Sequence, residues 1–114
     1  MTNVDLEGVR KRIIQLARDK KCRIVPHNLP CRFNPDEVIN PETGMYFDKI
    51  SAWHFIADLA ESQYPIREIT LENPKGEKGY EMIVKAHQNF PDVYIKVQLK
   101  GNMIYCRSFH LPIR

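Results

Sequence analysis

The clearest hydrophobic pattern in the chain is a period of two close to its C-terminal end. From Val93 to Lys100 apolar residues alternate with Tyr94, Lys96, Gln98 and Lys100, and a second run follows from Met103 to His110. Alternation marks half-buried strands, because successive side chains point to opposite faces. Only Gly101-Asn102 separates the runs. A two-residue loop with glycine first predicts a type II′ hairpin turn, since glycine accepts the positive φ the turn demands. An uninterrupted ladder then sets Lys100 against Met103, Leu99 against Ile104, Gln98 against Tyr105 and Val97 against Cys106. Further along it sets Lys96 against Arg107, Ile95 against Ser108, Tyr94 against Phe109 and Val93 against His110. One face collects Val93, Ile95, Val97, Leu99, Ile104 and Cys106 as core, with Ser108 and His110 on the same side. The other collects Tyr94, Lys96, Gln98, Lys100, Tyr105, Arg107 and Phe109, a cationic and aromatic surface.

Upstream the period changes. Leu6, Val9, Ile13, Leu16 and Ala17 share one face at 3.6 spacing, which predicts a helix from an Asp5 N-cap to about Lys20. Cys22 to Val25 is a short strand stopped by Pro26. Pro26, Pro30, Pro35, Pro41 and Gly44 then predict a long loop. Ala52, Phe55, Ile56, Leu59 and Ala60 predict a second helix, starting at Asp48 or Ser51 and reaching about Glu61, with Trp53 at the edge of its stripe. Ile66 to Leu71 and Tyr80 to Val84 read as strands flanking a turn from Glu72 to Gly79, and His87 to Asp92 as a connector. The expected fold class is α+β: two helices packed on one face of a mainly antiparallel sheet of about four strands, in a meander closed by the C-terminal hairpin.

The chain has 114 residues, enough for one domain with a real core. Its apolar fraction of 43% and charged fraction of 27% fit a soluble globular protein, and no apolar run approaches a membrane span. Charges inside the N-terminal apolar pattern argue against a secretory signal. Three cysteines, Cys22, Cys31 and Cys106, are an odd number without close spacing, which argues against a disulfide framework and for a reducing cytoplasm. His27, His54, His87 and His110 are not spaced as metal ligands, and Pro74 to Gly79 lacks the spacing of a nucleotide-binding loop. No cofactor is expected. The net charge is only +3, but from Lys75 onward Lys75, Lys78, Lys85, Lys96, Lys100, Arg107 and Arg114 face only Glu77, Glu81 and Asp92.

That local excess directs the candidate chemistry to the hairpin. Like charges directly opposed destabilise a sheet. The expected opposition of Lys96 and Arg107 therefore points to an anionic ligand. Lys96, Arg107 and Lys100 would hold phosphates, while Tyr94, Tyr105 or Phe109 would stack on bases. Lys75 and Lys78, on the Glu72 to Gly79 turn, would clamp the backbone from one side. The bland alternative is a solvated face whose Lys and Arg keep the sheet soluble. His110 has the proton affinity for acid–base work at neutral pH, but the expected register turns it to the core side.

The run Tyr94-Ile-Lys96-Val-Gln98, the hairpin and the strand Arg107-Ser-Phe109-His110 resemble the C-terminal strands of small bacterial toxins of the RelE/MqsR type. The resemblance spans Ile66 to His110. It implies a compact α+β messenger-RNA endonuclease held by a cognate antitoxin. By that resemblance Arg107 and Lys96 would stabilise the charge of the pentacovalent state, and His110 or Tyr105 would handle protons. Tyr94 or Phe109 would position a base. Two other readings stay open: a non-enzymatic module that docks nucleic acid or protein on the same face, and a face that pairs with an acidic protein.

Overall fold

The computed structural model describes residues 6–26, 31–72, 74–85 and 91–111. Helix α1 spans Leu6–Ala17, and its Ile13, Leu16 and Ala17 are buried, as their spacing predicts. The expected cap at Asp5 lies outside the described residues. The helix gives way at Asp19, whose side chain accepts from the Lys21 backbone N–H at 3.0 Å and starts a short 3-10 turn, Lys20–Cys22. Helix α2 spans Lys49–Glu61. Asp48 and Ser51, the two expected starts, form one capping box: Asp48 Oδ1 accepts from Ser51 N at 2.7 Å, and Ser51 Oγ accepts from Asp48 N at 2.8 Å. Past its end, Gln63 takes φ 65°, and Tyr64 N donates to Leu59 O while Gln63 N donates to Ala60 O. This left-handed closure is a Schellman motif built on a non-glycine residue.

The fold is α+β. Strands β1 (Arg23–Ile24), β2 (Arg32–Phe33), β3 (Arg67–Glu72), β4 (Lys75–Val84), β5 (Val93–Lys100) and β6 (Met103–His110) form one sheet, in the order β1-β6-β5-β4-β3 with β2 also on β6. The last four strands are the expected antiparallel meander. Two short strands extend it: β1 and β2 both run parallel to β6, so the sheet is mixed and, among the described residues, has six strands. Strand β2 lies inside the segment expected to be a loop. Two residues between prolines carry no readable period, and tertiary pairing alone defines them. That segment also enters the core through Val38 and Phe47, both nearly fully buried. One core gathers Ile13 and Leu16 of α1, Ala52, Trp53, Phe55, Ile56 and Leu59 of α2, and Met82, Ile95, Val97, Ile104, Cys106 and Phe109 of the sheet. Trp53, expected at an edge, is 3% exposed and belongs to it. Among the described residues no helix is long and apolar enough to cross a membrane.

Two expectations are corrected. The Glu72 to Gly79 segment is not an open turn, because Lys75 already pairs with Glu72 and Lys78 with Thr70 inside the β3–β4 ladder. The connection is tight, with Gly76 at φ 83° supplying the left-handed residue. The second correction concerns the hairpin. Its turn is as expected, with Gly101 at φ 62°, and the pairs from Lys100–Met103 to Val97–Cys106 hold. The ladder then slips by one residue: Lys96 faces Ser108, Ile95 faces Phe109 and Tyr94 faces His110, leaving Arg107 as the unpaired residue of a β-bulge.

The core explains the slip. Phe109 is fully buried and lies edge-on to Phe33, Phe47 and Phe55, with ring centroids 6.1, 5.1 and 6.4 Å away. A strict ladder would turn that ring to solvent and drive His110 inward, forfeiting roughly 2 kcal/mol of apolar burial before any cost of desolvating the imidazole. One extra residue in β6 avoids both.

Candidate functional site

The bulge determines which side chains share the sheet's open face. Phe109, expected outside, is in the core, and no base can stack on it. His110, expected inside, lies beside Tyr94 with ring centroids 5.3 Å apart. The expected Lys96–Arg107 opposition does not form. Lys96 sits between Glu81 of β4 and Ser108 of β6, so a like-charge pair across the ladder gives no argument for a ligand. The two cations nonetheless line the same groove, of about 390 Å³.

Tyr94 and Lys96 of β5 and Arg107, Ser108 and His110 of β6 line this groove, together with Ile69 to Glu72 of β3 and with Cys31 and Arg32 at β2. Strands β3 and β2 lie at opposite sides of the sheet, and both line the groove across its open face. Leu71 helps shape the β3 wall. It is 4% exposed although it stands outside the main core. It folds over Gly79, where a Cβ would lie only 2.7 Å from Leu71 Cδ2. Gly79, expected in a turn, is instead a mid-strand glycine that admits a close neighbour.

Each polar side chain of the site is held in a definite way. Glu81 is 6% exposed and accepts from Arg67 Nε at 3.0 Å, from Arg67 Nη2, and from the Tyr94 hydroxyl at 2.5 Å. Desolvation first, and the adjoining Glu81 carboxylate second, push the Tyr94 phenol up to about 12. Tyr94 is therefore a neutral donor at physiological pH and no base. Its ring also carries the Lys96 ammonium 5.6 Å from its centroid. His110, 8% exposed, places Nδ1 2.5 Å from the Leu111 carbonyl oxygen. With Nδ1 donating there, the neutral ring leaves Nε2 as its acceptor.

Arg107 is oriented by an amide. Its Nε and Nη2 donate to Gln98 Oε1 at 3.0 and 2.5 Å, and Gln98 Nε2 in turn donates to Glu77 Oε1 at 2.6 Å. The guanidinium lies 5.2 Å from the Tyr105 ring centroid, and its Nη1 is 3.6 Å from Cys31 Sγ. A neutral orienter fixes the fork and leaves its charge uncancelled. Among the described residues neither Arg107 nor Lys96 forms an ion pair, and the groove's cations Arg32, Lys96 and Arg107 face one carboxylate, Glu72.

The other expected site residues lie elsewhere. Lys100 is at the hairpin tip, 3.6 Å from Glu77, and Lys78 is 3.8 Å from Glu68. Lys75 opens β4 opposite Glu72, and Tyr105 braces Arg107; neither lines the groove. Arg32, Ser108, Glu81 and Gln98 also shape the groove and are not among the site residues expected from the sequence. For Ser108 a signal was present: core residues at 104, 106 and 109 break the period of two, and a gap of three on one face announces a bulge. Arg32 had no such signal. The Cys106 thiol is fully buried and burial pushes its pKa up, which makes it an inert core group. Among the described residues no cluster of three His, Cys, Asp or Glu could hold a metal ion. No family model, curated protein or solved structure matches this chain.

Proposed function

We propose that the groove binds the phosphodiester backbone of RNA and that the protein is a metal-independent endoribonuclease, the toxin of a toxin–antitoxin pair. The observation that carries this reading is the bulge in β6, which brings His110 to the face that holds Lys96 and Arg107. A cleft with uncancelled cations and one oriented imidazole has the groups that RNA transesterification requires. His110 Nε2 takes the proton of the 2′-hydroxyl, whose oxygen attacks phosphorus. Arg107 and Lys96 stabilise the charge that gathers on the non-bridging oxygens. The bond from phosphorus to the 5′-oxygen breaks, and that oxygen takes a proton from the Lys96 ammonium. A 2′,3′-cyclic phosphate and a 5′-hydroxyl result. Tyr105, outside the groove, acts through Arg107.

The test is incubation of the purified chain, freed of any neutralising partner and with a chelator present, with naked RNA and with ribosome-bound message. Cyclic phosphate ends should appear, should vanish when the attacked 2′-hydroxyl is replaced by hydrogen, and should vanish in His110→Gln at unchanged melting temperature. Intact RNA in both preparations would sink the enzyme. Salt-dependent RNA binding without turnover would assign the groove to a binding module, which the uncancelled charge of Arg107 and Lys96 favours equally.

A further inference from the structure

A second cavity adjoins the groove. Cys31 and Arg32 line both, so the short strand β2 is the ridge between them. The second cavity measures about 600 Å³ and is bounded by Val25, Pro26, Phe33, Asn34 and Lys49 in addition to that ridge. Its composition differs from the groove's. Val25, Pro26 and half-buried Phe33 form an apolar wall, Arg32 and Lys49 supply two cations, and among the described residues no carboxylate lines it. The Asn34 amide is also uncommitted. Asn34 heads the 3-10 turn Pro35–Glu37, yet its side chain caps nothing there and makes no hydrogen bond among the described residues, while its backbone N–H is tied to Phe109 O at 2.9 Å. The position is fixed by the ladder and the side chain is available.

An apolar wall beside a free amide and two cations suits one ligand chemistry, a nucleotide in a single strand. Such bases are unstacked, bind apolar and aromatic surfaces, and offer donor–acceptor edges that an amide can read, with the backbone charge met by Arg or Lys. We infer that this cavity is a second nucleotide subsite: it receives the base next to the phosphate held by Lys96 and Arg107, Asn34 reads that base, and Arg32 and Lys49 carry the phosphate between the two. The inference rests on the proposed RNA reading of the groove and adds to it a single-stranded substrate, a minimum length and a residue for base preference.

The test is titration of the full chain with 2′-O-methyl RNA, which resists cleavage, as a dinucleotide and as hexanucleotides that differ in one central base. The hexanucleotide should bind about tenfold or more tightly than the dinucleotide, and one central base should be preferred. Asn34→Ala should level that preference, and Lys49→Gln should shrink the advantage of the longer strand. Both side chains are exposed or half-buried, so thermal melting should show intact folding. Equal affinity for both lengths, or a base preference and length advantage untouched by either variant, overturns the subsite and leaves the groove's reading standing. Failure of the wild type to bind either length overturns both.

Discussion

Tyr94 stands directly across from His110 on the neighbouring strand, with their rings 5.3 Å apart, because Arg107 has no partner on β5. The unpaired residue is also the groove's best-oriented cation. One irregularity therefore moves Phe109 into the core, brings His110 out of it and aims a guanidinium at the space between the sheet's edges.

A bulge residue is extra to the ladder, so removing it should leave the pairs on both sides intact. Deletion of Arg107 keeps Val97 opposite Cys106, Ile95 opposite Phe109 and Tyr94 opposite His110. The expected cost in urea unfolding is roughly 1 to 2 kcal/mol, within the range of ordinary single changes. Deletion of Ser108 closes the same bulge but sets Arg107 opposite Lys96, and should cost up to about 1 kcal/mol more through like-charge repulsion. A loss above about 4 kcal/mol would show that Arg107 belongs to the ladder, because its removal would then turn every residue beyond it to the opposite face of the sheet.

The Tyr94 hydroxyl gives a pH signature. Its pKa rises from an ordinary phenol value near 10 to about 12 on folding, so the folded state favours the neutral form. That contribution is complete below pH 10 and is lost as pH climbs toward 12. The urea midpoint of the wild type should fall across this window more steeply than that of Tyr94→Phe, which lacks the titrating group. Parallel profiles would show that folding does not desolvate this hydroxyl and bond it to Glu81 as described.

Gly79 and Leu71 should behave as a coupled pair. A methyl group at 79 meets Leu71 Cδ2 at 2.7 Å and Cγ at 3.1 Å, and Leu71 has little free space at 4% exposure. Gly79→Ala should destabilise by about 1 to 3 kcal/mol and disturb the groove wall. In the Leu71→Ala background the same substitution should cost much less, and the difference is the interaction energy of a double-mutant cycle. Additive losses would mean that Leu71 does not lie over Gly79.

How far the sequence could be read follows from what kind of signal each part carries. Both helices, the capping residue Asp48 and the four-strand meander come from periodicity and local side-chain chemistry, and the structure has them. The cationic face was legible in outline: Lys96, Arg107 and Tyr94 do share one groove. Its register was not legible from a strict period of two, which overlooks the gap of three between Cys106 and Phe109 that marks the bulge. Nor was Arg32, whose place is set by a two-residue parallel pairing with Ser108 and Phe109 across a long sequence gap. Gly79 reads in the sequence as a turn signal, since space for a Leu71 side chain is a property of the folded sheet alone.

The Gln98–Arg107 bond gives the sharpest test of the groove's electrostatics. Gln98 is 2% exposed, orients Arg107 without cancelling its charge, and is itself anchored by Glu77 at 2.6 Å. Gln98→Glu would convert the bond to a buried ion pair but place two carboxylates side by side. Adding Glu77→Gln removes that repulsion and restores a donor to position 98, so the double variant should fold normally. Its guanidinium, oriented as before, would be neutralised within the protein. RNA affinity should drop about tenfold, and the slope of log Kd against log salt should flatten by about 0.7, the amount expected for one lost phosphate contact on a single strand. Glu77→Gln alone leaves Arg107 uncancelled and serves as the control. A double variant with unchanged affinity and slope would show that Arg107 meets no phosphate, and the cationic reading of the groove would then rest on Lys96 and Arg32.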